Sequence, residues 1–460
     1  MTHYDAIIIG SGQAGTPLVF SYASHKKKVA FIEKKHFGGT CLNVGCTPSK
    51  NYVASAKRMY DVQYAGKLGI DVPKGAKANL SKIKQRKDKP ITLSHEKMSS
   101  SIDKNEYIDF FNGEAHFVDD KIVEVNNKKL TADKIFINVG ARARIPDDFE
   151  HIDYLTNEEI FELTEIPEHL IIVGGSYIGL EFSQMFRRFG SKVTVVEQNS
   201  RLLAQEDEDI SDAIKEILED EGIEFRTDAT CIGATQQADN RVKVFFDCDA
   251  KNEEIIGTHV LLAAGRIPNT DLLNLNATGI STDKKGYIQV DDRLQTNIEG
   301  VYALGDCNGK GAFTHTSYND FEIVSDYLFG DGTRKVSDRI FTYALFIDPP
   351  LGRAGMNVAE AKKTYKNVKV AEYSMSNVTR AMEKSAKKGF MRIIINGDTD
   401  RIIGASIFGI DGNEIISGIL NIMYADKPYT VIRDSVQIDP TVAEFIPTML
   451  ENLKDASYEL

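Results

Sequence analysis

The residues whose types and spacing could do chemistry are concentrated in one stretch, Gly38-Gly39-Thr40-Cys41-Leu42-Asn43-Val44-Gly45-Cys46-Thr47-Pro48-Ser49-Lys50. In a regular helix, cysteines at 41 and 46 would be separated by about 7.5 Å along the axis, beyond what a disulfide spans. A disulfide between them therefore requires the segment to be locally tightened, and Gly45 gives the backbone that freedom. Placed where a helix begins, the thiols are acidified by the helix dipole and by nearby Lys50, which suits them to thiol-disulfide exchange. Two other readings are a zinc half-site and a pair of unrelated buried cysteines. A structural zinc site would want four ligands, and only His36 lies near in sequence. The remaining cysteines, Cys231, Cys248 and Cys307, are isolated and read as packing residues.

Two glycine turns supply further chemistry. Gly10-Ser11-Gly12-Gln13-Ala14-Gly15 follows an apolar strand (residues 4–9), opens a helix to about Ser24, and is followed by a strand from Lys28 to Glu33. Such a turn lets the backbone approach a pyrophosphate at the helix N-terminus, and Glu33 can accept from a ribose hydroxyl. The pattern returns with a strand His169–Val173, the turn Gly174-Gly175-Ser176-Tyr177-Ile178-Gly179, a helix to about Phe189 and a strand Lys192–Glu197. Ser176 stands in the middle-glycine place. Glu197 favours a free 2′-hydroxyl, hence NADH, while Arg201 keeps NADPH open.

The elements that must position these groups are those of a cytosolic globular chain. Its 460 residues, 42% hydrophobic and 27% charged, suffice for about three domains. No apolar run approaches the roughly 18 residues of a membrane helix, and the N-terminus lacks a basic leader. A net charge of −12 argues against a nucleic-acid partner. The one basic run, Lys82 to Lys89, reads as a solvated helix face. Short strands at Lys121–Glu124, Val242–Phe246 and His259–Ala263 read as hairpins and sheet strands. From Phe341 a third domain is expected, with strands Gly389–Asn396 and Ile402–Phe408.

With these motifs the chain resembles the class I pyridine nucleotide-disulfide oxidoreductases, the family of glutathione reductase, dihydrolipoamide dehydrogenase and mercuric reductase. The resemblance extends to Thr296–Asp306 (TNIEGVYALGD), similar to the family's second flavin motif, and to the segment 264–270 (AGRIPNT). It implies an α/β fold with two Rossmann-like dinucleotide-binding domains, for FAD and NAD(P), plus an α+β C-terminal dimerisation domain. The implied division is 1–149 and 276–337 for FAD, 150–275 for NAD(P), and 338–460 for the interface of a homodimer. By the same resemblance Cys46 faces the flavin and Cys41 meets substrate, while Lys50 and Glu181 pair beside the flavin and Tyr177 gates the nicotinamide pocket. Further FAD contacts are implied at Lys34, Gly39, Thr40, Gly140, Arg266, Gly305, Asp306, Ala312, Phe313 and Thr314, and an NAD(P) contact at Gly265.

One departure bears on substrate. Family disulfide reductases carry His-Pro-Thr-x-x-Glu near the C-terminus, with the histidine as acid/base, whereas this chain has Asp439-Pro440-Thr441-Val442-Ala443-Glu444. Asp439 is read either as a helix N-cap ahead of Pro440, or as a weaker acid whose pKa is raised by burial and by Glu444. The segments 311–322 (GAFTHTSYNDFE) and 348–356 (DPPLGRAGM) resemble the mercuric-reductase-like branch, which includes hypothiocyanous acid reductases. A small oxidant of that kind is the favoured substrate. The alternatives are a mercuric or other metal-ion reductase, a dihydrolipoamide or glutathione-type reductase, direct flavin reduction of quinones or copper(II), and a flavin-bearing interaction protein with weakened turnover.

Overall fold

Parallel strands covered on both faces read as continuous apolar runs, and in the run Ala6-Ile7-Ile8-Ile9 every residue is buried. Burial contributes about 1.5–3 kcal/mol for each of those isoleucines. In the computed structural model, which describes residues 1–73, 75–248 and 251–456, this strand (Thr2–Ile9) lies near the middle of a seven-stranded sheet. Val29–Glu33 and then Ile108–Asn112 flank it in parallel on one side. Lys128–Ile137 is parallel on the other and continues into an antiparallel meander with Ile122–Val125 and Ala115–Asp119. Val301–Ala303 joins late, parallel to the end of Lys128–Ile137.

Between those contributions the chain builds a second sheet, all parallel, ordered Ile223–Arg226, Lys192–Val196, His169–Val173 and His259–Leu262. Val242–Cys248 is the centre of a three-stranded antiparallel meander attached to it. The outgoing and returning crossings pair with each other, Ala141–Ala143 against Arg266–Pro268. The C-terminal part forms a six-stranded antiparallel sheet with helices packed against it, among the described residues. The result is the mixed α/β architecture expected from the motifs.

The helices that carry chemistry are α1 (Gly15–Ser24), α2 (Gly39–Val44), α3 (Cys46–Tyr64), α4 (Leu80–Asp103), α5 (Tyr177–Phe189), α6 (Glu208–Asp220) and α7 (Thr314–Phe329). No helix is long and apolar enough to cross a membrane, among the described residues.

Helix α4 corrects one expectation. The run Lys82–Lys89 is helical, but it is not a uniformly solvated face: Lys87 is buried against Asp88, Glu162 and the carbonyl of Phe161. Lys84 is half-buried and bridges Asp88 and Glu162. Glu162, far away in sequence, together with Asp88 on α4 itself, makes that burial tolerable.

Candidate active site

Cys41 lies on α2 and Cys46 is the first residue of α3. The helix is broken between them rather than tightened, with Gly45 at φ −133° and ψ −116°. A Cβ at position 45 would stand 2.8 Å from the Thr40 carbonyl oxygen and 3.2 Å from Cys41 Cα, so only glycine allows this fold-back. The fold-back brings the two thiols close enough for each to influence the other's ionisation. Asn43 anchors α2: its amide donates to the carbonyls of Phe37 (2.9 Å) and Gly39 (2.8 Å), and its Oδ1 lies 2.8 Å from His95 Nε2 on α4.

Around Cys46 the charges favour a thiolate. Its Sγ is 2.9 Å from Thr314 Oγ1 at the start of α7. One turn along α3, Lys50 Nζ donates to both oxygens of Glu181 on α5, at 2.9 and 2.7 Å. Glu181 is buried and also accepts from the Phe346 amide at 3.0 Å, while Lys50 sits 4.3 Å over the Phe346 ring. The hydrogen bond from Cys41 lowers the Cys46 pKa most, burial opposes it, and the Thr314 hydroxyl and Lys50 charge assist, leaving it at about 6. Cys41 is pushed the other way, chiefly because it keeps the shared proton.

Cys46 opens onto a cavity of about 700 Å³ whose wall includes Gly12, Glu33, Gly140, Asp306 and Thr314. Its size is within the usual range for cofactor sites. At the glycine turn, Glu33 Oε2 accepts from the Ser11 amide (2.9 Å) and hydroxyl (2.6 Å), and Asn138 Oδ1 accepts from the Gly15 amide at 2.9 Å. Gly10 has φ +101°, and a Cβ there would meet the Asn138 carbonyl at 2.3 Å. Asp306 is raised above the ordinary carboxylate range by burial, against the opposing charge of Arg266 at 3.8 Å. At Gly140 a Cβ would find no protein atom within 4 Å. A glycine turn for a pyrophosphate, an acid for a ribose and a half-buried carboxylate for a polyol chain fit a flavin dinucleotide. Lys34, Gly39, Thr40, Arg266, Ala312 and Phe313 also line this cavity, whereas Gly15, Gly265 and Gly305 do not. Gly305 instead donates its amide to Asp320 at 2.7 Å.

The second turn repeats the first in its hydrogen bonding. Glu197 accepts from the Gly175 amide through one oxygen and from Asn199 N (2.8 Å) and Nδ2 (2.6 Å) through the other. Ser176 caps α5 without a side-chain bond, and Gly174 and Gly179 flank it in the turn. Tyr177, Ile178 and Glu181, on α5, line this cavity, whereas Gly174, Gly175, Ser176, Gly179 and Glu197 do not. Tyr177 packs on Phe313 with ring centroids 5.5 Å apart. Arg201 lies 4.0 Å from Glu208.

The C-terminal carboxylates do not join this group within the chain. Asp439 is exposed, Glu444 is half-buried, and neither lines the cavity. The N-cap reading of Asp439 is corrected. It is not an N-cap, because the next helix begins at Phe445; ahead of that helix Thr441 and Glu444 exchange two bonds, Thr441 N to Glu444 Oε2 (3.3 Å) and Glu444 N to Thr441 Oγ1 (3.2 Å). Glu444 is raised by desolvation and, further, by its contact with Asp439. Of the isolated cysteines, Cys307 is buried as expected, but Cys231 is exposed at a strand irregularity and is not a packing residue. The Cys248 side chain lies outside the described residues.

The motifs left several participants unmarked. The contact of Thr314 with Cys46, the seat that Phe346 gives Glu181, and the anchors Asn43 and Asn138 all join segments far apart in sequence. The signal for Asn43 was its place inside the cysteine motif; the others carried none.

Residues 4–320 match the family described as pyridine nucleotide-disulphide oxidoreductase, and residues 341–450 match its dimerisation domain. The chain is 32% identical to the probable pyridine nucleotide-disulfide oxidoreductase RclA of Escherichia coli, over 99% of this chain and 100% of that one. It is 30% identical to a mercuric reductase of Staphylococcus aureus, over 99% and 82% of the two chains. It is 31% identical to a dihydrolipoyl dehydrogenase of Bacillus subtilis, over 95% and 96%. A solved Cu(II) complex of the HOCl-induced flavoprotein disulfide reductase RclA from Escherichia coli superposes with a TM-score of 0.88 at 31% identity, covering 98% of this chain and 99% of that one.

Proposed function

This chain belongs to the pyridine nucleotide-disulphide oxidoreductase family, and from that premise we propose that it passes electrons from NADH through Cys41 and Cys46 to a small oxidant of the hypothiocyanous acid kind. The family implies FAD and NAD(P)H as its cofactors. The observation that carries the substrate reading is the opposite pull on the two thiols: the Thr314 hydroxyl and Lys50 favour the anion at Cys46, whereas contact with Cys46 and burial favour the protonated form at Cys41.

That opposite pull suits an oxidant whose leaving group is hydroxide. Cys41 sulfur bonds to the sulfur of hypothiocyanous acid while its proton goes to the departing oxygen, giving water. Cys46 thiolate then attacks the Cys41 sulfur, expels thiocyanate and closes the disulfide. Two thiols are oxidised, the substrate takes up two electrons, and thiocyanate leaves without needing a proton. An alkyl thiolate leaving a disulfide does need one, and Asp439 stands where the family's disulfide reductases carry an imidazole. The chain's similarity to a protein described as HOCl-induced supports the same class of oxidant.

Residues Gly10, Gly12, Glu33, Gly140 and Asp306 would hold FAD, which when bound supplies two-electron carriage from nicotinamide to the disulfide. Lys50 and Glu181 set a fixed ion pair in the wall, Thr314 holds the thiolate, and Tyr177 covers the nicotinamide side. Glu197 disfavours a 2′-phosphate, so NADH is preferred to NADPH. We further assign residues 1–149 and 276–337 to the FAD domain, 150–275 to the NAD(P) domain and 338–460 to the interface of a cytosolic homodimer.

Anaerobic addition of NADH to the flavin-loaded protein should produce a long-wavelength thiolate-to-flavin absorbance that is lost in Cys46→Ser. Steady NADH consumption should follow with hypothiocyanous acid and not with glutathione disulfide. Absence of the absorbance from the native protein defeats the thiol relay. The solved Cu(II) complex of the relative motivates a second reading, direct reduction of copper(II), which activity surviving in Cys41→Ala would favour.

A further inference from the structure

One buried polar cluster takes no part in the chemistry described so far. Glu206 and Arg353 are 3% and 1% exposed, and Arg353 Nε stands 3.3 Å from Glu206 Oε2. Tyr343, also buried, donates its hydroxyl to Glu206 Oε1 at 2.7 Å. Glu206 lies just before α6 in the second parallel unit, whereas Tyr343 and Arg353 belong to the C-terminal sheet. The neighbours of Glu206 reinforce the seam: the Gln205 carbonyl accepts from Asn357 Nδ2 at 3.0 Å, and Asp207 accepts from the Val358 amide at 3.0 Å.

The ring of Tyr343 leads from this cluster to the cavity. It stacks on Phe313 with centroids 5.6 Å apart and planes 7° from parallel. Phe313 is the surface on which Tyr177 packs. Resting on the reading of Tyr177 as the nicotinamide gate, we propose that Tyr343 is a positioning residue: pinned through its hydroxyl to buried Glu206, it fixes Phe313 as the backstop that holds Tyr177 in its resting place. Nicotinamide must displace Tyr177, so a firm backstop lowers the fraction of molecules ready to bind and weakens the apparent affinity by that fraction.

The test is calorimetric titration of the flavin-loaded protein with 1,4,5,6-tetrahydro-NADH, which binds without transferring hydride. Tyr343→Phe keeps the stacked ring and removes only the hydroxyl, so Tm should fall with the bond to buried Glu206 while FAD content holds, and Kd should fall about threefold. A purely structural role would shift Tm and leave Kd alone. In a Phe313→Leu background the same change should have no further effect on Kd. An unchanged Kd in Tyr343→Phe, or an equal fall with and without Phe313, overturns the proposal. If the native flavin-loaded protein fails to bind tetrahydro-NADH at all, it is the functional reading underneath that fails.

Discussion

Replacing Thr314 by valine removes one donor from the Cys46 thiolate while keeping a branched side chain at the start of α7. A hydrogen bond to a charged group contributes about 1.5–3 kcal/mol, and 1.36 kcal/mol corresponds to about one pKa unit. Because Cys46 opens onto the cavity, solvent screening puts the effect at the lower end, about one unit. The midpoint should move from about 6 to roughly 7. The sign follows from thiol ionisation: the thiolate is present above its pKa and is lost as pH falls through it. At pH 6 the ionised fraction should drop about fivefold, from roughly one half to one tenth. The assay is the pH dependence of the long-wavelength absorbance in the NADH-reduced, flavin-loaded protein, native and Thr314→Val, with FAD content measured alongside. A midpoint that stays near 6 in the variant, with full FAD content, would refute the assignment of Thr314 as a donor to Cys46.

Other perturbations follow the same geometry. Gly45→Ala puts a methyl 2.8 Å from the Thr40 carbonyl, so it should cost about 1–3 kcal/mol in urea unfolding and slow Cys41–Cys46 disulfide closure, read by thiol counting after oxidation. Lys50→Met leaves Glu181 buried without its cation; stability should fall by about 3 kcal/mol, the partial exposure of Lys50 placing it at the lower end, and the Cys46 midpoint should rise. Lys87→Ala should lower stability by about 2 kcal/mol in thermal or urea unfolding, whereas Lys89→Ala, on the exposed side of α4, should change it by less than about 0.5. Asp439→Asn should leave turnover with hypothiocyanous acid within about twofold, since Cys41 itself supplies the proton; a tenfold loss would return Asp439 to the chemistry.

The sequence by itself determined what depends on neighbours in the chain. The glycine turns, the strands that precede them and the acids that close them are local patterns, so the turns at Gly10 and Gly174 and the acids Glu33 and Glu197 that bond to them were legible before any coordinates, as was the need for a bend between Cys41 and Cys46. Tertiary structure decided whatever depends on distant segments meeting. It broke the helix at Gly45 instead of tightening it, placed Thr314 against Cys46, seated Glu181 on the Phe346 amide, and drew Lys87 out of solvent. It also began the last helix at Phe445, away from Asp439. The physical reason is common to all of these: hydrogen-bond geometry, desolvation and ion pairing act over a few ångströms of space, and residues separated by hundreds of positions acquire such neighbours only when the sheets are assembled.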